Sequence, residues 1–170
     1  MEKETGAGPM VLVTVDHILC GPRGVSLTER QDIAYLEIPA AYAPPKKRPI
    51  PSEVDFQLDM HMSSPLLFRY SAVTFNAHRI HYDVEYARTE ESYPGLVVHG
   101  PLQATLLMQL AVQHRGEVPQ YFDFRGVHPA FAGEEFSILG VNEDTATMRL
   151  FTGSAGHQCM QATAIWGATV

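Results

Sequence analysis

Residues 101–115 read PLQATLLMQLAVQHR, and Gly116 follows. Proline fits the first turn of a helix, where its missing N–H removes no bond, and glycine fits the position just past a helix end. Leu102, Leu106 and Leu110 recur at every fourth position with Leu107 and Ala111 beside them, which makes a wide apolar face. The rest is Gln, Thr, Met and Val, and no formal charge occurs before Arg115. A helix lying on a surface carries Lys or Glu on its outer side. This one is therefore expected to be wrapped by other structure.

The wrapping material lies on both sides. Downstream, 120–131, 135–142, 146–152 and 158–166 read as four strands, separated by the turn compositions AGEE, NEDT and GSAGH. Upstream, Ser64–Thr74 is a strand candidate on the β-favouring Phe68, Tyr70 and Val73. The result is an α+β pattern in which one antiparallel sheet curls around one central helix, the hot-dog arrangement. Nearer the amino terminus, VLVTVDHILC (11–20) and VSLTERQDIAYLEI (25–38) flank GPRG, which predicts an extra N-terminal β-hairpin. PAAYAPPKKRPIP (39–51) is too rich in proline for a helix or inner strand and predicts a stiff, extended connector. Two parts follow, with the hairpin and connector in 1–51 and the hot-dog domain in 52–170.

Twelve Lys and Arg against nineteen Asp and Glu give the 170-residue chain a formal net charge of −7, which repels a nucleic-acid backbone. Cys20 and Cys159 stand far apart and outside any C-x-x-C spacing, so neither a disulfide framework nor a zinc knuckle is expected. No apolar run approaches the ~18 residues of a membrane helix, and Asp16 interrupts the run that follows residues 1–9, so no signal peptide is read. A soluble, cytoplasmic protein without nucleic-acid or membrane partners is expected.

Chemistry concentrates in two strings. HYDVEYARTEESYPGLVVHGPLQATLL (81–107) resembles the motif of MaoC-like, R-specific enoyl-CoA hydratases, in which His-x-Asp precedes a short helix and Val-His-Gly opens the central helix. FRYSAVTFNAHRIHYD (68–83) is similar to the catalytic half of two-domain mesaconyl-CoA hydratases and type 2 hydroxyacyl-thioester dehydratases. The resemblance covers about Leu66 to Trp166 and implies a hot-dog hydro-lyase that hydrates an enoyl thioester and dehydrates its 3-hydroxyacyl counterpart.

Such a reaction needs a base for water, a proton for the α carbon and donors for the developing enolate oxygen. His81 is the expected general base, because imidazole takes and returns protons near neutrality. A histidine that caps or packs beside the following helix is the structural alternative. The family usually carries an acid five residues earlier. Asn76 stands there, able to orient water through its amide but not to accept its proton. Gly100, at the start of the helix, is the expected backbone oxyanion donor.

Asp83 reads as the N-cap of VEYARTEE, and Tyr82 as packing. His78 and Arg79 are expected to shape the loop or meet the substrate's polar end. A metal shared by His78, His81 and His99 would lack a carboxylate or cysteine at helical or finger spacing, and no metal is assigned. His99 stays open between lining the cleft and a structural hydrogen bond. Arg125 is a candidate for the phosphates of CoA, and Lys46–Arg48 for the same phosphates or a solvated linker. No cofactor is expected beyond the CoA or acyl carrier protein thioester that serves as substrate.

About sixty residues precede Pro65, too few for another complete hot dog, so 1–51 reads as the closing hairpin of a missing first one. Its edges and apolar face call for a partner, and a homodimer is expected. Two alternatives stand beside the hydratase. One is a non-catalytic acyl-CoA-binding or assembly subunit, motivated by Asn76 and the shortened first part. The other is a hot-dog thioesterase, which normally sets a carboxylate near a helix that here offers glutamines.

Overall fold

The computed structural model describes residues 2–5, 8–38 and 41–167, and the chain forms two compact units, Met1–Ala41 and Tyr42–Val170. Pro39 and Ala40, the first two residues of the expected connector, lie outside the described residues.

In the first unit β1 (Glu2–Thr5), β2 (Gly8–Gly21) and β3 (Gly24–Leu36) make an antiparallel sheet in that order. Gly21 pairs with Gly24 across the Pro22-Arg23 turn, and Gly24 takes φ +105°, a conformation only glycine adopts without strain. This is the expected hairpin. Cross-strand partners share a face, so the register shows which side chains stand together. Val11 and Tyr35, Val13 and Ile33, and Leu19 and Leu27 pair on one face, all exposed. On the other, Arg30 forks onto Asp16 and Thr14 donates to Asp32 at 2.6 Å.

The second unit holds β4 (Phe56–His61), β5 (Tyr121–Gly126), β6 (Glu135–Asn142), β7 (Thr147–Ser154) and β8 (His157–Ile165). They form one antiparallel sheet in the order β4-β6-β7-β8-β5. Helix α3 (Gly100–Arg115) packs against β5, β6, β7 and β8, which is the expected hot-dog core. Leu102, Ala104, Leu107 and Ala111 meet Phe136, Ile138, Met148, Leu150, Met160, Ala162 and Trp166. Burying each large apolar side chain contributes about 1.5–3 kcal/mol. The helix is not wrapped on all sides within this unit, because Pro101, Thr105, Gln109 and Gln113 form an exposed stripe without charge.

Three expectations change. Ser64–Thr74 is helix α1, not a strand. The Ser63 hydroxyl caps it by accepting from the Leu66 N–H, Pro65 stands in its first turn, and Phe75 ends it in the left-handed region at φ 54°. The residues that suggested a strand lie largely in solvent, Phe68 at 60% and Val73 at 74% exposure, while Leu67 and Ser71, four apart, face the core. Strand β5 stops at Gly126, short of residue 131, and Val127-His128-Pro129 departs from it, proline having no N–H for a ladder. The edge strand β4 appears in 56–61, which carries little alternation.

The described part of the connector is fastened to the second unit. Pro49 bridges His157, the Gln158 N–H donates to Arg48 O at 2.8 Å, and Ile50 packs over Gly153. Among the described residues no helix is long and apolar enough to cross a membrane.

Candidate active site

The left-handed Phe75 turns the chain out of α1 into the loop that carries the expected chemistry. Asn76 fixes the loop's start, its N–H donating to Ser71 O at 2.9 Å and its Oδ1 accepting the His78 N–H at 3.0 Å. Such an Asx-type turn holds the backbone without a regular element. A 3-10 turn, Arg79–His81, follows, and then helix α2 (Val84–Thr89) begins under Asp83. Asp83 is the expected cap, accepting the Tyr86 N–H at 3.1 Å.

The second oxygen of Asp83 takes Arg79 through both Nη2, at 2.7 Å, and Nε, at 3.1 Å. Arg79 and then the Tyr86 N–H hold the Asp83 carboxyl below the usual carboxylate range. The Arg79 guanidinium also lies 4.2 Å from the centre of the Tyr86 ring. Arg79 is thus committed to its own loop. Tyr82 donates to Ala77 O at 2.9 Å, a packing and loop contact as expected.

His81 is buried, and its Nδ1 lies 2.7 Å from the carbonyl of Val97. A carbonyl only accepts, so Nδ1 carries the proton and Nε2 keeps its lone pair. The Val97 N–H donates to Ile80 O at 3.0 Å, which fixes the two segments against each other. Burial pushes the His81 pKa below its ordinary 6.5, partly offset by the Val97 bond. The ring stacks on His99 with centroids 3.7 Å apart and planes 18° apart. His99 is fully buried, shares a 2.8 Å hydrogen bond between Nε2 and the Ser71 hydroxyl, and leaves Nδ1 without a partner. Burial and then the neighbouring His81 push its pKa down to about 4, which favours a neutral His99 ring.

His78 sits at the rim, half exposed. Its Nε2 meets Glu91 Oε1 at 2.7 Å, and its ring stands edge-on to His81 at 5.7 Å. Neither Ser71 nor Glu91 was singled out in the sequence, since each contact joins residues far apart in the chain with no spacing signal. Among the described residues no group of three His, Cys, Asp or Glu is arranged to hold a metal ion.

Gly100 is the first residue of α3, and His99 before it makes no side-chain capping bond, so the first-turn N–H groups are available to a ligand. Gly100 lines a cleft of about 300 Å³ with Gln103, His128 and Cys159 and the apolar Val98 and Met160. Its nearest would-be neighbour, Met160 Cε, lies 3.8 Å from where a Cβ would stand, so the glycine leaves backbone open to an incoming group. His81 and Asn76 do not line this cleft. His81 stacks on His99, whose successor is Gly100. No carboxylate side chain lines the cleft either.

Arg125 is not brought to it. Its side chain, on β5, lines a separate depression of about 140 Å³ with Asp123, Arg149 and Gln161. Lys46, Lys47 and Arg48 are exposed and follow Pro45, which lines the main cleft. His128 and Cys159 are cleft-lining residues that the sequence did not indicate, and His157 packs against His128. Burial pushes the Cys159 thiol up to about 12, so it is not a thiolate nucleophile.

Comparison with known proteins follows the same lines. A mesaconyl-C(4)-CoA hydratase of Chloroflexus aurantiacus is 44% identical over 139 residues, 81% of this chain and 50% of that protein. A mitochondrial hydroxyacyl-thioester dehydratase type 2 of Schizosaccharomyces pombe is 40% identical over 79 residues, 43% of this chain and 25% of that protein. The chain spans half or less of the length of these relatives. Among solved structures, a MaoC-like dehydratase from Phytophthora capsici superposes with a TM-score of 0.75 at 14% identity, over 99% of this chain and 62% of the other. The (R)-hydratase of A. caviae involved in PHA biosynthesis superposes with a TM-score of 0.57 at 18% identity, over 74% of this chain and 96% of the other. At such identities the structural likeness carries the fold alone. The sequence family described as hydroxyacyl-thioester dehydratase type 2 matches residues 2–132, well over half of the chain. The protein belongs to the hydroxyacyl-thioester dehydratase type 2 family.

Proposed function

We propose that the chain reversibly hydrates an enoyl thioester to its 3-hydroxyacyl thioester. The observation that carries this reading is the hydrogen bond from His81 Nδ1 to Val97 O, which leaves Nε2 as the basic atom, beside a helix that begins at Gly100. His81 Nε2 takes a proton from water as the water oxygen bonds to C3 of the substrate. The electron pair of the C2–C3 double bond moves toward the thioester carbonyl, whose oxygen is held by the Gly100 N–H at the positive end of α3. The imidazolium then returns its proton to C2, so one group serves both proton transfers. Asn76, with Oδ1 engaged by the loop, offers its amide N–H₂ to the water.

His99 and His78 complete the wall around the base. Lys46–Arg48, which follow the cleft-lining Pro45, are the cations available to the phosphates of CoA, and acyl carrier protein is the alternative carrier. No metal or redox cofactor enters the scheme. The relatives' names support an acyl thioester substrate, and a mesaconyl-CoA-like thioester is one candidate. We assign a homodimer to the apolar face of the hairpin. Two free thiols, Cys20 and Cys159, suit a reducing compartment such as the cytoplasm, although the yeast relatives are mitochondrial by name.

The test is to incubate the purified chain with crotonyl-CoA and with mesaconyl-CoA and follow loss of the conjugated enoyl thioester. Turnover of either supports the reading, and a folded chain inert toward both and toward their 3-hydroxyacyl products refutes it. A second reading, thioester binding without turnover, draws on Asn76 in the place where related enzymes carry an acid. It requires tight binding of both thioesters together with that inert result.

A further inference from the structure

His81 is buried, yet in the proposed reaction it turns from a neutral ring into a cation. A cation that forms where water is scarce needs a negative group nearby. Val97 O already holds the Nδ1 proton, and the stacked His99 favours its neutral form through burial. Asp83, the acid of the same loop, is engaged by Arg79 and by the cap of α2. The carboxylate that acts on His81 comes instead from the far end of α2, at Glu91.

Glu91 reaches the base through His78. Its Oε1 lies 2.7 Å from His78 Nε2, and the His78 ring stands edge-on to His81 with centroids 5.7 Å apart. The backbone of His78 is fixed as well, its N–H donating to Asn76 Oδ1 at 3.0 Å. A half-exposed histidine held at both ends gives up rotamer freedom that a loop side chain ordinarily keeps. Glu91 is less open, with 14% of its side chain exposed. The backbone that aims it is strained. Helix α2 ends as the Glu90 N–H donates to Tyr86 O at 2.9 Å and the Tyr93 N–H to Ala87 O at 2.8 Å. Between them Ser92 takes φ 60°, in the left-handed region that favours glycine. Tyr93 then packs beside Tyr42 and Phe131, which anchors the turn on its other side.

We propose that Glu91, acting through His78, is the counter-charge of the base: it holds His78 against His81 and stabilises the imidazolium that forms as water adds to the substrate. The inference rests on the hydratase reading. An ionised carboxylate only accepts, so the shared proton stays on His78 Nε2 and Glu91 exchanges none. As the water O–H bond breaks, its proton goes to His81 Nε2 and the oxygen's electron pair bonds to C3. Positive charge then sits on His81 and negative charge on the thioester oxygen. Glu91 offsets the first and the start of α3 offsets the second. Burial is the largest influence against a charged His81, and the Val97 bond works in its favour. Of the two charges that follow, His78 opposes the charged ring and Glu91 supports it. Glu91 and His78 are thus positioning residues, and neither exchanges a proton with the substrate.

The test compares steady-state hydration of crotonyl-CoA and mesaconyl-CoA by the wild type, E91Q, E91D, H78A and E91Q/H78A, with folding checked by near-ultraviolet circular dichroism. E91Q keeps the size and hydrogen-bonding capacity of the side chain and removes its charge. Its kcat is expected to fall about tenfold with KM kept within about twofold, because the lost interaction belongs to the transition state. E91D, which keeps the charge, should recover most of that kcat. H78A should lose as much as E91Q, and the double variant no more than either, since the two side chains act as one unit. Full kcat in E91Q, a loss confined to KM, an equal loss in E91D, or losses that add in the double variant overturns the inference. An E91Q chain that does not fold makes Glu91 structural and overturns it as well. A folded wild type without turnover overturns the hydratase reading and this inference with it, so the wild-type rate tells the two failures apart.

Discussion

The tautomer of His81 is set by an acceptor sixteen residues away in the chain. The Val97 carbonyl fixes the proton on Nδ1, and burial favours the neutral ring. Because the active form is neutral and its pKa is lowered, hydration should persist as pH falls through 6.5 and fail only below it. A rate-against-pH profile whose acid limb lies at or above 6.5 would contradict this. His99 gives a stability counterpart. Its folded pKa is about 4 against 6.5 for a free imidazole, so below 6.5 the unfolded chain takes up a proton that the folded one refuses. The stability it contributes is full above 6.5 and drains away as pH falls toward 4. Urea midpoints should drop across that window, and less steeply in His99→Gln. Gly100→Ala should fold normally, given 3.8 Å of room, yet lose about tenfold or more in kcat as the methyl group crowds the oxyanion site. The cap at Asp83 and the helix start at Gly100 were legible because each lies in a contiguous string. The tautomer, the stacking on His99 and the cleft-side His128 were not, since each depends on partners that only the fold brings together.

Helix α1 shows why an element can be misread when its residues are sound. Phe68, Tyr70 and Val73 favour strands, but propensity is a weak preference that capping and burial override. Ser63 at the cap, Pro65 in the first turn and the pair Leu67 and Ser71 decide for a helix. Ser63→Ala should therefore cost about 1 kcal/mol in denaturant unfolding. By contrast α3, β6, β7 and β8 were legible nearly to the residue, because long apolar periods and Gly- or Asp-containing turns bound them. Strand β4 was not, since Gln57, Leu58 and Asp59 lie exposed on an edge with little apolar alternation to mark it. What anchors it is Phe56, whose ring lies directly over Gly140 and stacks on His114 at 4.0 Å. Gly140→Ala must push that ring aside, and a loss of about 1–3 kcal/mol is expected in the same unfolding assay.

At the scale of the whole molecule the hairpin sheet carries Val13, Leu19, Leu27 and Tyr35 exposed on one of its sides. Exposed apolar faces of this kind mark association sites. Light scattering should give the mass of a dimer, and the double variant L19K/L27K should give a monomer whose second unit keeps its near-ultraviolet circular dichroism. The central claim concerns the intact chain and is tested most directly by one comparison. Initial rates of enoyl-CoA hydration are measured for the wild type and for His81→Ala, both shown to be folded. Loss of about 100-fold or more in kcat in the variant is the expected result. Equal rates, or no turnover by the folded wild type, would contradict it.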